Sequence, residues 1–210
     1  MARLELTLYP SAHPIAGLVL AHGAGAGQRS PFMVQAARDL AARGVSTATF
    51  DFAYMAEGRS APDRAPVCEA RWRDAIREAR SALPGLRLVI GGKSFGGRMA
   101  SHVASQGEAG PLAGVVFLGY PLHPPGRPDQ RRDAHLPAIV EPQLFVQGSR
   151  DPFGTADEIR ALLPRLQRAT LHEVVEGDHG FKVPKRAGDQ RTVMAGIMDA
   201  VSAWIGTVTA

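Results

Sequence analysis

Short apolar runs recur along the chain, separated by stretches whose apolar positions return every three or four residues. Ala16–Ala21, Val45–Phe52, Leu86–Gly91, Gly114–Tyr120, Gln143–Gln147 and Leu171–Val175 read as buried strands, and Leu4–Tyr9 adds a seventh at an edge. Between the first two strands, Met33, Ala37, Leu40 and Ala41 share a helical face. Ser30 stands at the N-cap, Pro31 at the first helical position and Gly44 at the C-terminal stop. In residues 66–83 the stripe is Trp72, Ala75, Ile76, Ala79 and Leu83, while Arg71, Arg73, Asp74, Arg77 and Glu78 are expected to face water. Another helix runs from Gly97 to about Ser105, and Thr155-Ala156-Asp157-Glu158 is a capping box. Residues 190–205 carry Val193, Met194, Ile197, Val201, Trp204 and Ile205 on one face.

Strands that alternate with helices predict an α/β architecture, a mostly parallel sheet with helices on both faces. The 210 residues fit a single domain over 1–210. Pro121–Pro142 holds six prolines in 22 residues and reads as a long ordered loop with at most a short helix.

Composition narrows the class further. Apolar residues make up 45% and charged residues 21%, which is globular usage. Uninterrupted apolar stretches reach only about seven residues, so no membrane span is expected. Met1–Pro10 has no apolar signal core, and Cys68 is the single cysteine; together they lead to the expectation of a cytoplasmic protein. The net charge of +4 comes with 21 Arg against 3 Lys, spread from Arg3 to Arg191, and only 6% aromatics. That dispersal argues against a nucleic-acid surface.

Three loops that follow strands compete for the chemistry. His22-Gly23-Ala24-Gly25-Ala26-Gly27 fails as a dinucleotide fingerprint, because Gln28 or Ser30 stands where the last glycine is needed. Gly92-Lys93-Ser94 has the tail of a phosphate-binding loop, but Arg87 occupies the position of its first glycine. Gly92-Lys93-Ser94-Phe95-Gly96 fits G-x-S-x-G between a strand and a helix, where a sharp turn exposes a nucleophilic serine.

A serine needs a base and a group that orients the base. Asp151 lies 57 residues after Ser94, and His179 lies 28 residues after Asp151. Each follows a strand, so all three are expected at the carboxyl edge of the sheet. Asp178 is the poorer acid, because neighbouring side chains diverge. The oxyanion donors are expected to be the N–H groups of Phe95 and Ala24, with His22 orienting the Gly-rich loop.

Several of these segments together carry a resemblance. They are Leu20–Gly25, Gly91–Arg98, Leu118-Gly119-Tyr120-Pro121-Leu122-His123-Pro124-Pro125-Gly126, Gly148–Asp151 and Gly177–His179. The chain resembles the small α/β-hydrolase-like family that includes a testis-expressed protein and a scaffold subunit of a histone-acetyltransferase complex. More broadly it is similar to the dienelactone-hydrolase-like branch. The resemblance covers most of 15–205 and implies an α/β-hydrolase fold of six to seven strands with no large lid. Dienelactone hydrolases carry cysteine where this chain has Ser94, so their substrate is not implied.

The remaining residues bring weaker expectations. The other histidines show no metal-ligand spacing, so neither metal nor cofactor is expected. Tyr54, Met55 and His123 are candidates for substrate contact. Arg127, Arg131 and Arg132 are expected to form a solvated face near Asp129 and Asp133, the other reading being attraction of an anionic acyl group. Cys68 reads as a packing residue. The function expected is hydrolysis of a small ester, thioester or amide by a Ser94–Asp151–His179 triad. The alternative is a catalytically silent binding or scaffold protein on the same fold. Oligomeric state is left open by the sequence.

Overall fold

The computed structural model describes residues 3–210. Seven strands form one sheet: β1 (Leu6–Tyr9), β2 (Ala16–Ala21), β3 (Val45–Phe50), β4 (Leu88–Lys93), β5 (Gly114–Leu118), β6 (Gln143–Gly148) and β7 (Ala169–Val174). Their spatial order is β1-β3-β2-β4-β5-β6-β7. Only β1 runs antiparallel, against β3; every other pairing is parallel. The helices are α1 (Pro31–Ala41), α2 (Ala53–Ala56), α3 (Ala65–Ala82), α4 (Phe95–Ser105), α5 (Ala156–Leu162) and α6 (Gln190–Thr209).

The two-residue period of the strands divides the core into two layers. Val19, Ile90, Val115, Phe117 and Phe145 face α3, α4 and α5 with Trp72, Ile76, Met99, Val103 and Ile159. Their sequence neighbours Leu18, Leu20, Val89, Val116, Leu144 and Val146 face α1 and α6 with Met33, Leu40, Ile197, Val201 and Ile205. Burial on both faces is why these strands read as continuous apolar runs rather than alternating ones.

Local contacts move several of the expected boundaries. The run from Val45 leaves the sheet after Phe50, because the Phe52 N–H donates to His22 Nε2 (3.2 Å) and the chain turns into α2. β4 starts and ends two residues later than expected. Gly91 and Gly92 lie inside it, where the Val116 carbonyl and the start of α4 leave no room for a Cβ. Arg71 does not face water: it is buried and donates to the Asp51 carbonyl (3.1 Å), because the segment after β3 folds over it. Ser30 precedes α1 as expected, yet its hydroxyl makes no cap bond. Thr155 and Glu158 do form the reciprocal capping box of α5. The Pro-rich loop contains one short 3-10 turn, Leu136–Ala138.

The sheet order reverses between β3 and β4, which lie on either side of β2. In open α/β sheets the crevice at such a reversal, at the carboxyl ends of the strands, is where ligands bind. The Gly-rich loop follows β2 and Ser94 follows β4, so the fold sets these two segments side by side.

Candidate active site

Ser94 sits at the turn between β4 and α4 with φ 49° and ψ −114°. A non-glycine residue enters this region only when its surroundings force it there. The Ser94 N–H donates to the Leu118 carbonyl (3.0 Å), holding the turn against β5. A Cβ on Gly92 would lie 2.6 Å from backbone atoms of Gly96 and Gly97, so strand and helix close this tightly only with glycine there. From α3, the Trp72 indole N–H reaches the Gly96 carbonyl (3.3 Å) and braces the start of α4.

His179 Nε2 is 2.8 Å from Ser94 Oγ, and His179 Nδ1 is 2.7 Å from Asp151 Oδ2. The three candidates drawn from separate loops are therefore brought into one hydrogen-bonded chain. The Asp151 carboxylate is 1% exposed and accepts two further bonds, from the Phe153 N–H (2.8 Å) and from Gln147 Nε2 (3.0 Å). Gln147 is itself fixed at both ends of its amide. Its Nε2 also reaches the Gly154 carbonyl (2.6 Å), and its Oε1 accepts the Tyr120 N–H (2.8 Å). Asp178 is turned away from the imidazole: its Oδ1 accepts the N–H groups of Gly180 (2.7 Å) and Lys182 (2.9 Å) and shapes the loop that carries His179.

Lys93, one position before Ser94, points its ammonium to the His179 carbonyl (2.6 Å). The ring of Phe181 lies 5.2 Å from Nζ. Burial lowers its pKa from the usual 10.5 to about 8, partly offset by the charges of Asp151 and Asp178. The Phe153 ring lies 4.4 Å from the His179 ring and walls the imidazole on one side.

The N–H groups of Phe95 and Ala24 donate to no other group among the described residues, and both residues border the cleft that opens on Ser94. His22 holds the Gly-rich loop from below. It is fully buried, its Nδ1 bonds the Gly23 carbonyl (2.7 Å), and its Nε2 accepts from the Phe52 amide. That pattern requires the neutral Nδ1–H tautomer, and burial lowers the His22 pKa in the same sense. The cleft has a volume of about 490 Å³ and is lined by Phe95, Arg98, Pro121, Arg132, Phe153 and His179 among others.

A family profile described as an alpha/beta hydrolase domain matches residues 14–206. The chain belongs to the α/β-hydrolase family. Solved structures agree on the fold. A dienelactone hydrolase from Anabaena variabilis superposes with a TM-score of 0.77 at 21% identity, over 97% of this chain and 91% of that one. A lidless α/β serine hydrolase from Xanthomonas campestris gives 0.73 at 19% identity, over 96% and 89%. A monoacylglycerol lipase from Paleococcus ferrophilus gives 0.74 at 16% identity, over 99% and 100%.

Within this α/β-hydrolase domain, three residues expected to touch substrate lie outside the cleft. Tyr54 is fully buried, and its hydroxyl accepts the Gly25 N–H (3.4 Å), so it supports the Gly-rich loop from behind. Met55 packs beside Gly27 and borders a separate surface hollow with Gln28 and Asp51. His123 is buried with its ring nitrogens on the Pro124 carbonyl (2.9 Å) and the Glu158 carboxylate (3.1 Å), tying the Pro-rich loop to α5. All three follow strands at the correct edge of the sheet, but the Tyr54 and His123 side chains are spent on holding loops and Met55 lines the separate hollow. Cys68 is buried, and burial pushes its thiol up to about 11, which removes it from nucleophilic chemistry. Sequence reasoning missed Gln147 and Phe153 and weighed Lys93 only as part of a phosphate loop. Its place at the end of an expected strand, directly before the Gly148–Asp151 segment, was the one visible sign of Gln147.

Proposed function

We propose that this chain is a serine hydrolase that cleaves a small ester, thioester or amide through an acyl-enzyme. The observation that carries this reading is the unbroken chain of hydrogen bonds from Ser94 Oγ through His179 to the buried Asp151 carboxylate. In the first step Ser94 Oγ attacks the carbonyl carbon while His179 Nε2 takes its proton. The N–H groups of Phe95 and Ala24 hold the oxygen that becomes negative. His179 then gives the proton to the departing alcohol, thiol or amine, and water repeats the sequence on the acyl-serine. Asp151 fixes the imidazole with Nδ1–H toward itself, leaving Nε2 free to accept. Gln147 and the Phe153 amide hold that carboxylate in place.

The similar structures include a dienelactone hydrolase, a serine hydrolase without a lid and a monoacylglycerol lipase, and each of those names describes that protein alone. The Tyr120–Gly126 run supports the narrower kinship with the testis-expressed group. The single buried cysteine supports a reducing, cytoplasmic setting.

Hydrolysis of 4-nitrophenyl acetate followed by stopped flow tests the reading. The expected result is a burst of nitrophenolate stoichiometric with protein, abolished in Ser94→Ala. Turnover that survives Ser94→Ala would overturn it.

A further inference from the structure

Two arginines border the catalytic cleft with no side-chain hydrogen bond or ion pair among the described residues. Arg98 lies in the first turn of α4, and its N–H donates to the Ser94 carbonyl (3.0 Å). Arg132 comes from the Pro-rich loop, where both sides of its backbone are fastened. Its N–H donates to the Leu122 carbonyl (2.9 Å), and its own carbonyl accepts the Tyr120 hydroxyl (2.8 Å). Both side chains line the same cleft as Ser94 and His179.

The charge next to Arg132 in sequence is neutralised. Arg131 pairs with Asp133 (2.9 Å) and approaches Glu158 (3.7 Å). Neither Arg98 nor Arg132 has a carboxylate within ion-pair distance among the described residues, and Arg98 Nε is buried with no hydrogen-bond partner. A buried guanidinium donor left unmatched is costly, and a second cation nearby adds to that cost. Burial and then the Arg132 charge hold Arg98 below its usual pKa. Besides Ser94 and His179, the rest of the cleft wall is Gly23, Ala24, Phe95, Pro121 and Phe153, with Lys93, whose ammonium is already held by the His179 carbonyl. The cleft has room for an acyl chain and no acidic side chain facing the two cations.

We infer that the substrate of this site carries a carboxylate, held between Arg98 and Arg132 while the ester, thioester or amide carbonyl lies at Ser94. A planar carboxylate presents two oxygens to guanidinium forks and is matched by them in charge and shape. The inference rests on the serine-hydrolase reading and adds the class of substrate to it. Of the two readings of the loop arginines, a solvated face fits Arg131, and anion attraction fits Arg132.

Two matched pairs of aryl esters test it, the first followed by fluorescence and the second by ultraviolet absorbance. In the first the carboxylate is on the acyl side: the 4-methylumbelliferyl monoester of adipic acid against the hexanoate ester. In the second it is on the alcohol side: the hexanoate ester of 4-hydroxybenzoic acid against that of its methyl ester. The expected result is a kcat/KM preference of at least about tenfold for the carboxylate in one pair, shrinking toward unity in Arg98→Gln and in Arg132→Gln and with added salt. Hydrolysis of the neutral esters with no carboxylate preference in either pair would overturn the inference and leave the serine-hydrolase reading standing. Binding without turnover is read separately, by calorimetric titration of monomethyl adipate into Ser94→Ala protein. Saturable binding that Arg132→Gln abolishes supports the anion site even where hydrolysis fails. No binding beyond that of methyl hexanoate counts against it.

Discussion

At the scale of single residues, the two aspartates near His179 divide the work by where their oxygens point. Asp151 is buried and takes the imidazole Nδ1, the Phe153 amide and the Gln147 amide. Asp178 spends one oxygen on two backbone N–H groups of its own loop. Asp151→Asn is therefore expected to keep the fold while admitting the wrong imidazole tautomer, with a loss in kcat of up to about 10⁴. Asp178→Asn keeps an acceptor oxygen for the turn and is expected to lose far less. Steady-state kinetics with a common ester checks the pair, and a larger effect at Asp178 would reverse the assignment. The chain order of Ser94, Asp151 and His179 was legible because each residue type follows a strand. Gln147 was not, because nothing in a buried strand marks which polar side chain will meet which loop.

At the scale of elements, the capping signals separate into one that makes its bonds and one that does not. Thr155 accepts the Glu158 N–H, and Glu158 answers by accepting the Thr155 N–H. Ser30 stands at the same kind of position before α1 with its hydroxyl buried and unbonded. Thr155→Ala is expected to lower the unfolding free energy by about 1 kcal/mol. Ser30→Ala is expected to change it by less than about 0.5 kcal/mol, since no cap bond is lost. Urea denaturation of both variants checks this. The helical faces and buried strands were readable from periodicity because burial on two sides leaves few polar positions. Boundaries were less readable. The end of β3 depends on a bond from His22, thirty residues earlier in the chain. The interior glycines of β4 look like a turn until the neighbouring strand and helix are seen to fill the space of their side chains.

At the scale of the whole molecule, α6 is long and apolar enough to cross a membrane by length and composition. Its stripe of Ile197, Met198, Val201 and Ile205 is buried against the sheet, and Arg43 pairs with Asp199 (2.6 Å) on its outer side. Ile197, Val201 and Ile205 were legible in the sequence because the period of the apolar positions is helical, whereas Met198 lay outside the expected face. Stability as a whole carries the mark of Lys93. Its folded pKa of about 8 lies below the usual 10.5, so between those values the unfolded chain binds the extra proton. Stability contributed by this group is therefore expected to rise with pH across that window. Thermal or urea unfolding of wild type and Lys93→Met at pH 7.5 and 9.5 checks the sign. The difference between them should move in favour of wild type at the higher pH.

The measurement that bears most directly on the assembled site is intact-mass analysis after exposure to a fluorophosphonate at mildly basic pH. Such a reagent needs a serine whose proton is being removed and an oxyanion that is held, and it needs no knowledge of the substrate. The expected result is one adduct per chain, mapped to Ser94, absent in Ser94→Ala and strongly slowed in His179→Ala. A folded protein that takes no adduct, or takes it on another residue, would contradict the triad and turn the chain into a silent binding protein on a hydrolase scaffold.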